Sequence, residues 1–105
     1  MIFEEQTYTM QVGKAYLLVE AYAAQGLEIL ERNLGRLVAF WTVDVGGDID
    51  QIIQVWAFSS HEDRADCRKK LLADPAWINF AKEYGGLITR REMRVLVGAE
   101  FSPIK

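Results

Sequence analysis

The sequence predicts an α+β domain of βαββαβ order, with a four-stranded antiparallel sheet that carries its helices on one face. Three observations lead there. Four runs rich in β-branched and aromatic residues are separated by turn signals, and helical spacing fills the first and last gaps. The two middle runs are apolar on both of their alternating sides, which is more apolar surface than one layer of helices can hide.

Ile2 to Met10, rich in Thr, Tyr and Phe, reads as the first strand and stops before Val12-Gly13. From Lys14, the residues Ala15, Leu18, Val19, Tyr22, Ile29 and Leu30 recur at helical spacing until Gly35 supplies a stop. Gly26 lies inside that helix at a cost of about 1 kcal/mol relative to Ala, so the backbone packs closely there or the helix bends. Leu37 to Val45 and Gln51 to Phe58 flank Gly46-Gly47-Asp48 and read as a hairpin. Ser59-Ser60-His61-Glu62-Asp63 offers two capping-box spacings, Ser59 with Glu62 or Ser60 with Asp63, for a helix running to about Leu72. Asp74-Pro75 starts a second piece that ends at Gly85-Gly86. Leu87 to Val97 sets Arg90, Glu92 and Arg94 against Met93, Val95 and Val97, and is the last strand.

This order folds most economically as a split β-α-β sandwich. Four strands at about 4.8 Å spacing span roughly 19 Å, so two helices about 10 Å wide cover one face only. Strict alternation puts Leu37, Ala39, Trp41 and Val43 on one side of the hairpin and Val38 and Phe40 on the other, with Ile53, Val55 and Ala57 set against Ile52, Trp56 and Phe58. An apolar patch of that extent marks an interaction surface, and a symmetric pair is its simplest use. The expectation is a homodimer, with Phe40 or Trp56 as aromatics to test at the interface.

Composition narrows the partners. Residues 1–105 are 50% hydrophobic and 26% charged, a globular composition without a membrane-length apolar run, so a soluble chain without membrane insertion is expected. A net charge of −3 gives no basic footprint for nucleic acid. Cys67 is the single cysteine, so no internal disulfide is possible; it reads as a buried, inert thiol. Met1 to Glu5 carries no basic segment followed by an apolar core, and the expected setting is cytoplasmic.

Candidate site residues come from strand positions where polarity meets a pattern of burial. Glu4, Gln6 and Tyr8 share one side of the first strand, and Arg90, Glu92 and Arg94 one side of the last; in this fold the two strands are neighbours. If both sets face the uncovered side, a cavity between sheet and partner holds them with Trp41, Gln54 and Trp56, as apolar walls with convergent polar groups. A cross-strand ion-pair ladder uses the same residues without a ligand. The run Asp63-Arg64, Asp66, Arg68-Lys69-Lys70 reads as a solvated helix face. His61, the sole histidine, sits at a helix start and builds neither a paired-histidine metal site nor a Ser-His pair. No Gly-rich phosphate loop, paired-cysteine or calcium-loop pattern is present, so no cofactor or metal is indicated.

With these elements placed, the sequence resembles the NIPSNAP family of the dimeric α/β-barrel superfamily. The stretches that carry the likeness are Phe3-Glu4 through Thr7-Tyr8-Thr9 with Gly13-Lys14, Gly35-Arg36-Leu37-Val38-Ala39-Phe40-Trp41, and Gln54-Val55-Trp56-Ala57-Phe58. Asp63-Arg64-Ala65, Asp74-Pro75-Ala76-Trp77, Glu92 and Phe101-Ser102-Pro103 complete it. The chain departs from the pattern at Gln6, where members often carry an arginine. The resemblance implies one ferredoxin-like domain over residues 1–105 that pairs sheet to sheet. Two functions stay open: a homodimeric module that holds a small apolar or aromatic molecule, or an enzyme similar to the superfamily's cofactor-independent monooxygenases or isomerases, in which Tyr8, Glu4 or Glu92 transfers protons. Pairing of Glu4 and Glu92 with Arg90 or Arg94 favours structure; an unpaired carboxylate lining open volume favours chemistry.

Overall fold

In the computed structural model, which describes residues 1–105, four strands form one antiparallel sheet in the order β2-β3-β1-β4. They are β1 (Ile2–Met10), β2 (Arg36–Thr42), β3 (Gln51–Phe58) and β4 (Ile88–Leu96). The first crossover contains α1 (Ala15–Ala21) and α2 (Leu27–Leu34), joined by a π-helical turn at Tyr22–Gly26. The second contains α3 (His61–Leu72) and α4 (Pro75–Tyr84), followed by a short 3-10 turn at Gly85–Leu87. No helix is long and apolar enough to cross a membrane.

Close packing is the reason for Gly26. The helix widens into the π turn, and a Cβ on Gly26 would lie 2.6 Å from Phe80 Cζ and 2.8 Å from Tyr22 Cδ1. Only hydrogen fits between the first crossover and α4 at that point. Gly35 ends α2 with φ 94, a backbone region that other residues rarely enter. At the start of α3 the pair in use is Ser60 and Asp63: the Ser60 hydroxyl accepts from the Asp63 N–H at 3.0 Å, and Asp63 Oδ2 accepts from the Ser59 N–H at 2.9 Å. The Asp74 carboxylate caps α4 by accepting from the Ala76 N–H at 3.0 Å. Its other oxygen takes Asn33 Nδ2 and Arg32 Nη2, each at 2.8 Å, which ties α2 to the α3–α4 corner. These hydrogen bonds, Asn33 first and Arg32 next, hold the Asp74 carboxyl down at about 2.

The helices pack on one sheet face. The main core there gathers Ile2, Tyr8 and Met10 of β1 and Ile52, Trp56 and Phe58 of β3 with Leu18, Tyr22, Leu30, Leu71 and Phe80 from the helices. A smaller cluster, Phe3, Val55 and Ala57 with Val38 and Ala39, belongs to the opposite face, where no helix lies. One feature departs from strict alternation. A bulge between Leu37 and Ala39 shifts the register, so Leu37 pairs with Trp56 and Phe40 with Gln54, and both turn inward while Ala39 and Trp41 turn outward. Leu37 therefore does not share a side with Trp41 as period-2 reading places it. β2 also ends at Thr42, which leaves Val43 outside the sheet, and β4 ends at Leu96, short of Val97.

The correction extends to the expected interface aromatics. Phe40 meets Tyr22 edge to face with ring centroids 5.3 Å apart, and Trp56 is fully buried under the helices. Neither lies on the outer face. Trp41 does, 56% exposed, opposite Ile53.

Candidate functional site

The inner face of β1 carries a line of polar side chains into the core. Glu4, Gln6 and Tyr8 alternate toward the helices with Ile2 and Met10, and all are buried. The Tyr8 hydroxyl donates to Gln6 Oε1 at 2.5 Å, and Gln6 Nε2 donates to Glu4 Oε1. The Glu4 carboxylate is completely buried and would be untenable alone. Two arginines of α3 neutralise it, Arg64 through Oε2 and Arg68 through Oε1 at 3.2 Å. Arg64, Cys67, Arg68 and Leu71 recur at helical spacing, so one face of α3 presents a cationic pair followed by a leucine to the sheet.

This corrects the reading of the Asp63–Lys70 run as a solvated face. Arg64 and Arg68 look like surface charge in the sequence because their partner is sixty positions away on β1. Cys67, between them, is half-buried rather than buried; burial and then Asp63 push its thiol up, away from the reactive range.

Beside this line lie two cavities that meet at Tyr8, Trp77 and Arg91. The larger, about 410 Å³, has aromatic walls from Tyr22, Trp77, Phe80 and Tyr84, with Ile88 beside them, and opens to solvent. The smaller, about 310 Å³, has leucine walls from Leu30, Leu34 and Leu71, with Gln6, Gln54 and Arg68 reaching in. Such volumes suit a small organic molecule. Burial pushes the Tyr8 phenol above its ordinary range, against the pull of Arg91 and Arg68, and pushes Tyr22 up further. Both rings therefore stay protonated at neutral pH and act as hydrogen-bonding groups, not as bases.

Gln54 has an incomplete set of partners. Its Oε1 accepts from Trp56 Nε1 at 2.7 Å, which fixes the amide orientation because an indole N–H can only donate. Its Nε2 is buried and closes no hydrogen bond, although the Tyr22 hydroxyl lies beside it. An unfilled buried donor is costly, on the order of 1–3 kcal/mol.

The structure divides the candidate residues between the two faces. Tyr8, Gln54, Trp56 and Glu4 face the helices; Trp41, Arg90, Glu92 and Arg94 come from strand positions that face away. β1 and β4 are neighbours as expected, yet Arg90 pairs with Thr9, Glu92 with Thr7 and Arg94 with Glu5, the side opposite Glu4, Gln6 and Tyr8. Even so, Glu92 reaches the smaller cavity beside Gln6, Tyr8 and Gln54, and Arg90 reaches the larger one beside Tyr8, whereas Arg94 and Trp41 line neither. The outer face carries an ion-pair ladder, Arg90 to Glu92 at 3.0 Å and Arg94 to Glu5 at 2.8 Å. Glu4 is likewise paired, but to α3 and not to β4.

Sequence reasoning passed over Arg91, Tyr22, Arg64 and Arg68. Arg91 sits opposite Tyr8 in the ladder and lines both cavities, and its signal was the alternation that opposes it to Arg90 and Glu92. Tyr22 read as one more apolar helix position. The spacing of Arg64, Arg68 and Leu71 was visible, but nothing local distinguishes inward arginines from outward ones.

Comparison with known proteins places this geometry in context. The family model described as NIPSNAP matches residues 3–103. A solved NIPSNAP family protein with unknown function from Agrobacterium tumefaciens is 35% identical, covers 100% of this chain and 94% of its own, and superposes with a TM-score of 0.95. Human Protein NipSnap homolog 3A is 27% identical over 70 residues, which is 61% of this chain and 28% of that protein. The chain thus spans about a quarter of the length of the animal relatives it matches. A putative antibiotic biosynthesis monooxygenase from Nitrosomonas europaea shares the fold at a TM-score of 0.65 with 13% identity, over 93% of this chain and 98% of its own.

Proposed function

This chain belongs to the NIPSNAP family, and we propose that it works as a homodimeric module that binds a small apolar or aromatic molecule between the inner sheet face and the helices. The observation that carries the reading is the pair of cavities meeting at Tyr8, Trp77 and Arg91, apolar in their walls and polar at a few converging points. The binding site sits within one protomer, not between two sheets as the sequence suggested.

Pairing through the outer sheet face is the second half of the proposal. Trp41 stands exposed there beside the cluster of Phe3, Val55 and Ala57, and a second copy would cover both. The single cysteine supports a reducing, cytoplasmic setting.

A monooxygenase or isomerase role draws support from the shared fold alone, which is weak ground for an activity. The carboxylates argue against proton-transfer chemistry. Glu4 spends its oxygens on Arg64, Arg68 and Gln6, and Glu92 is engaged by Arg90. Neither stands unpaired against open volume.

The test is a titration of the purified protein with naphthol, a neutral aromatic probe, followed by tryptophan emission with Trp77→Phe as control. Saturable quenching at one probe per chain, lost in the control, is expected. Linear, non-saturating quenching that is unchanged in Trp77→Phe refutes the binding role.

A further inference from the structure

We infer that the molecule held in this cavity is an aromatic acid with a second oxygen at its far end: its carboxylate meets Arg91 at the rim, and the second oxygen accepts from Gln54 Nε2 at the floor. The inference rests on the binding role proposed above and adds the chemistry of the ligand to it.

Two unused donors define the two ends. Arg91 is exposed at the edge of the sheet, lines both cavities and takes part in none of the ion pairs. The other charges around the smaller cavity are spoken for: Arg68 by Glu4 at 3.2 Å, and Glu92 by Arg90 at 3.0 Å. Arg91 is thus the cation left uncompensated, and a guanidinium prefers a carboxylate, which it can grip with two parallel hydrogen bonds.

Gln54 defines the other end. It is buried on the central strand β3, its Oε1 is committed to Trp56, and its Nε2 is orphaned in the wall of the same cavity. A buried donor of this kind calls for an acceptor oxygen and gains nothing from a cation or a hydrocarbon. Gln54 pairs with Gln6 across β1, and Arg91 pairs with Tyr8, so the two donors sit two strands and two residues apart. That offset is roughly 12 Å between backbones, from a strand spacing of about 4.8 Å and a rise of about 3.4 Å per residue, before either long side chain reaches inward. A one- or two-ring skeleton bridges the remaining gap. Tyr8 and Trp77 line both cavities, and Leu30, Leu34 and Leu71 line the smaller one, so the body between the oxygens must be apolar.

The experiment compares three probes by calorimetry on the whole protein: naphthol, naphthoate, and a hydroxynaphthoate whose hydroxyl and carboxylate lie at opposite ends. Hydroxynaphthoate should bind about 10–100-fold tighter than naphthol, the range expected for one charge-assisted hydrogen-bonding group. It should also bind about 3–10-fold tighter than naphthoate, the range for one neutral hydrogen bond. Arg91→Met, a change at an exposed residue, should erase the first difference. Gln54→Leu should erase the second; because that change also strands the Trp56 N–H, the probe comparison in the unaltered protein is the independent measure. Naphthol binding as tightly as the acids overturns the ligand class while the binding role stands. Saturable binding by none of the three overturns both.

Discussion

The buried Glu4 carboxylate and its two arginines set up an asymmetry that can be measured. Glu4 has no exposed surface, whereas the side chains of Arg64 and Arg68 keep 19% and 34% of theirs. Removing the acid by Glu4→Gln leaves two cations that can turn toward water, so the loss is that of charge-assisted hydrogen bonds, about 1–3 kcal/mol. Removing both bases by Arg64→Met with Arg68→Met strands a carboxylate in the core with Gln6 as its remaining donor, and costs about 3–5 kcal/mol. At a typical urea slope of about 2 kcal/mol per molar, the double arginine variant should lower the midpoint by about 2 M and Glu4→Gln by about 1 M. The triple variant Glu4→Leu with both methionines should return to within about 1 kcal/mol of the parent, because a well-packed apolar replacement avoids the desolvation of both charges. Protein concentration must be held constant across the series, since self-association would add to apparent stability. If the double arginine variant is no less stable than Glu4→Gln, the carboxylate is not stranded and the reasoning fails.

Other outcomes follow from single features. Gly26→Ala drives a methyl into Phe80, which is held by Tyr22, Trp77 and Tyr84 at centroid distances of 5.3, 5.5 and 4.9 Å. Overpacking of about 1–3 kcal/mol should exceed the gain in helix propensity of about 1 kcal/mol, and a melting temperature unchanged or raised would contradict the close approach. Under the sheet-to-sheet pairing proposed above, Trp41→Glu should convert dimer to monomer in light scattering without loss of helical signal, whereas an intact dimer would remove Trp41 from the interface. The Tyr8 and Tyr22 phenols titrate higher in the folded chain than in the unfolded one, so their contribution is complete below about pH 10 and falls as pH rises beyond it. Phenolate absorbance should therefore show two of the four tyrosines ionising later than an exposed phenol, and four ionising together near pH 10 would contradict their burial. The Asp74 carboxyl runs the other way: with its folded value near 2, its contribution is present above about pH 4 and is lost as pH falls toward 2. Asp74→Asn should flatten that acid limb in melts taken between these values; an unchanged limb would mean the Asn33 and Arg32 contacts do not persist in solution.

Local rules were enough for the elements of this protein. Strand runs, capping pairs such as Ser60 with Asp63 and Asp74 ahead of Pro75, and the helix stop at Gly35 act within a few residues of one another, and each did what its chemistry requires. The sheet order and the presence of an uncovered face also follow from the sequence, since connection lengths and helix width leave little choice. Period-2 alternation correctly grouped Glu4 with Gln6 and Tyr8, and Arg90 with Glu92 and Arg94. What alternation cannot express is which side of the sheet each group joins, because that depends on the register between β1 and β4, and a slip of one residue exchanges the faces. The bulge that turned Leu37 inward is a property of the β2–β3 ladder and leaves no mark on β2 alone. Arg64 and Arg68 became part of the core only when a carboxylate sixty positions earlier was placed beneath them. Tertiary structure alone decided these matters, because a charge is inside or outside according to its partner in space, and the cavity between Arg91 and Gln54 exists only where three strands and four helices meet.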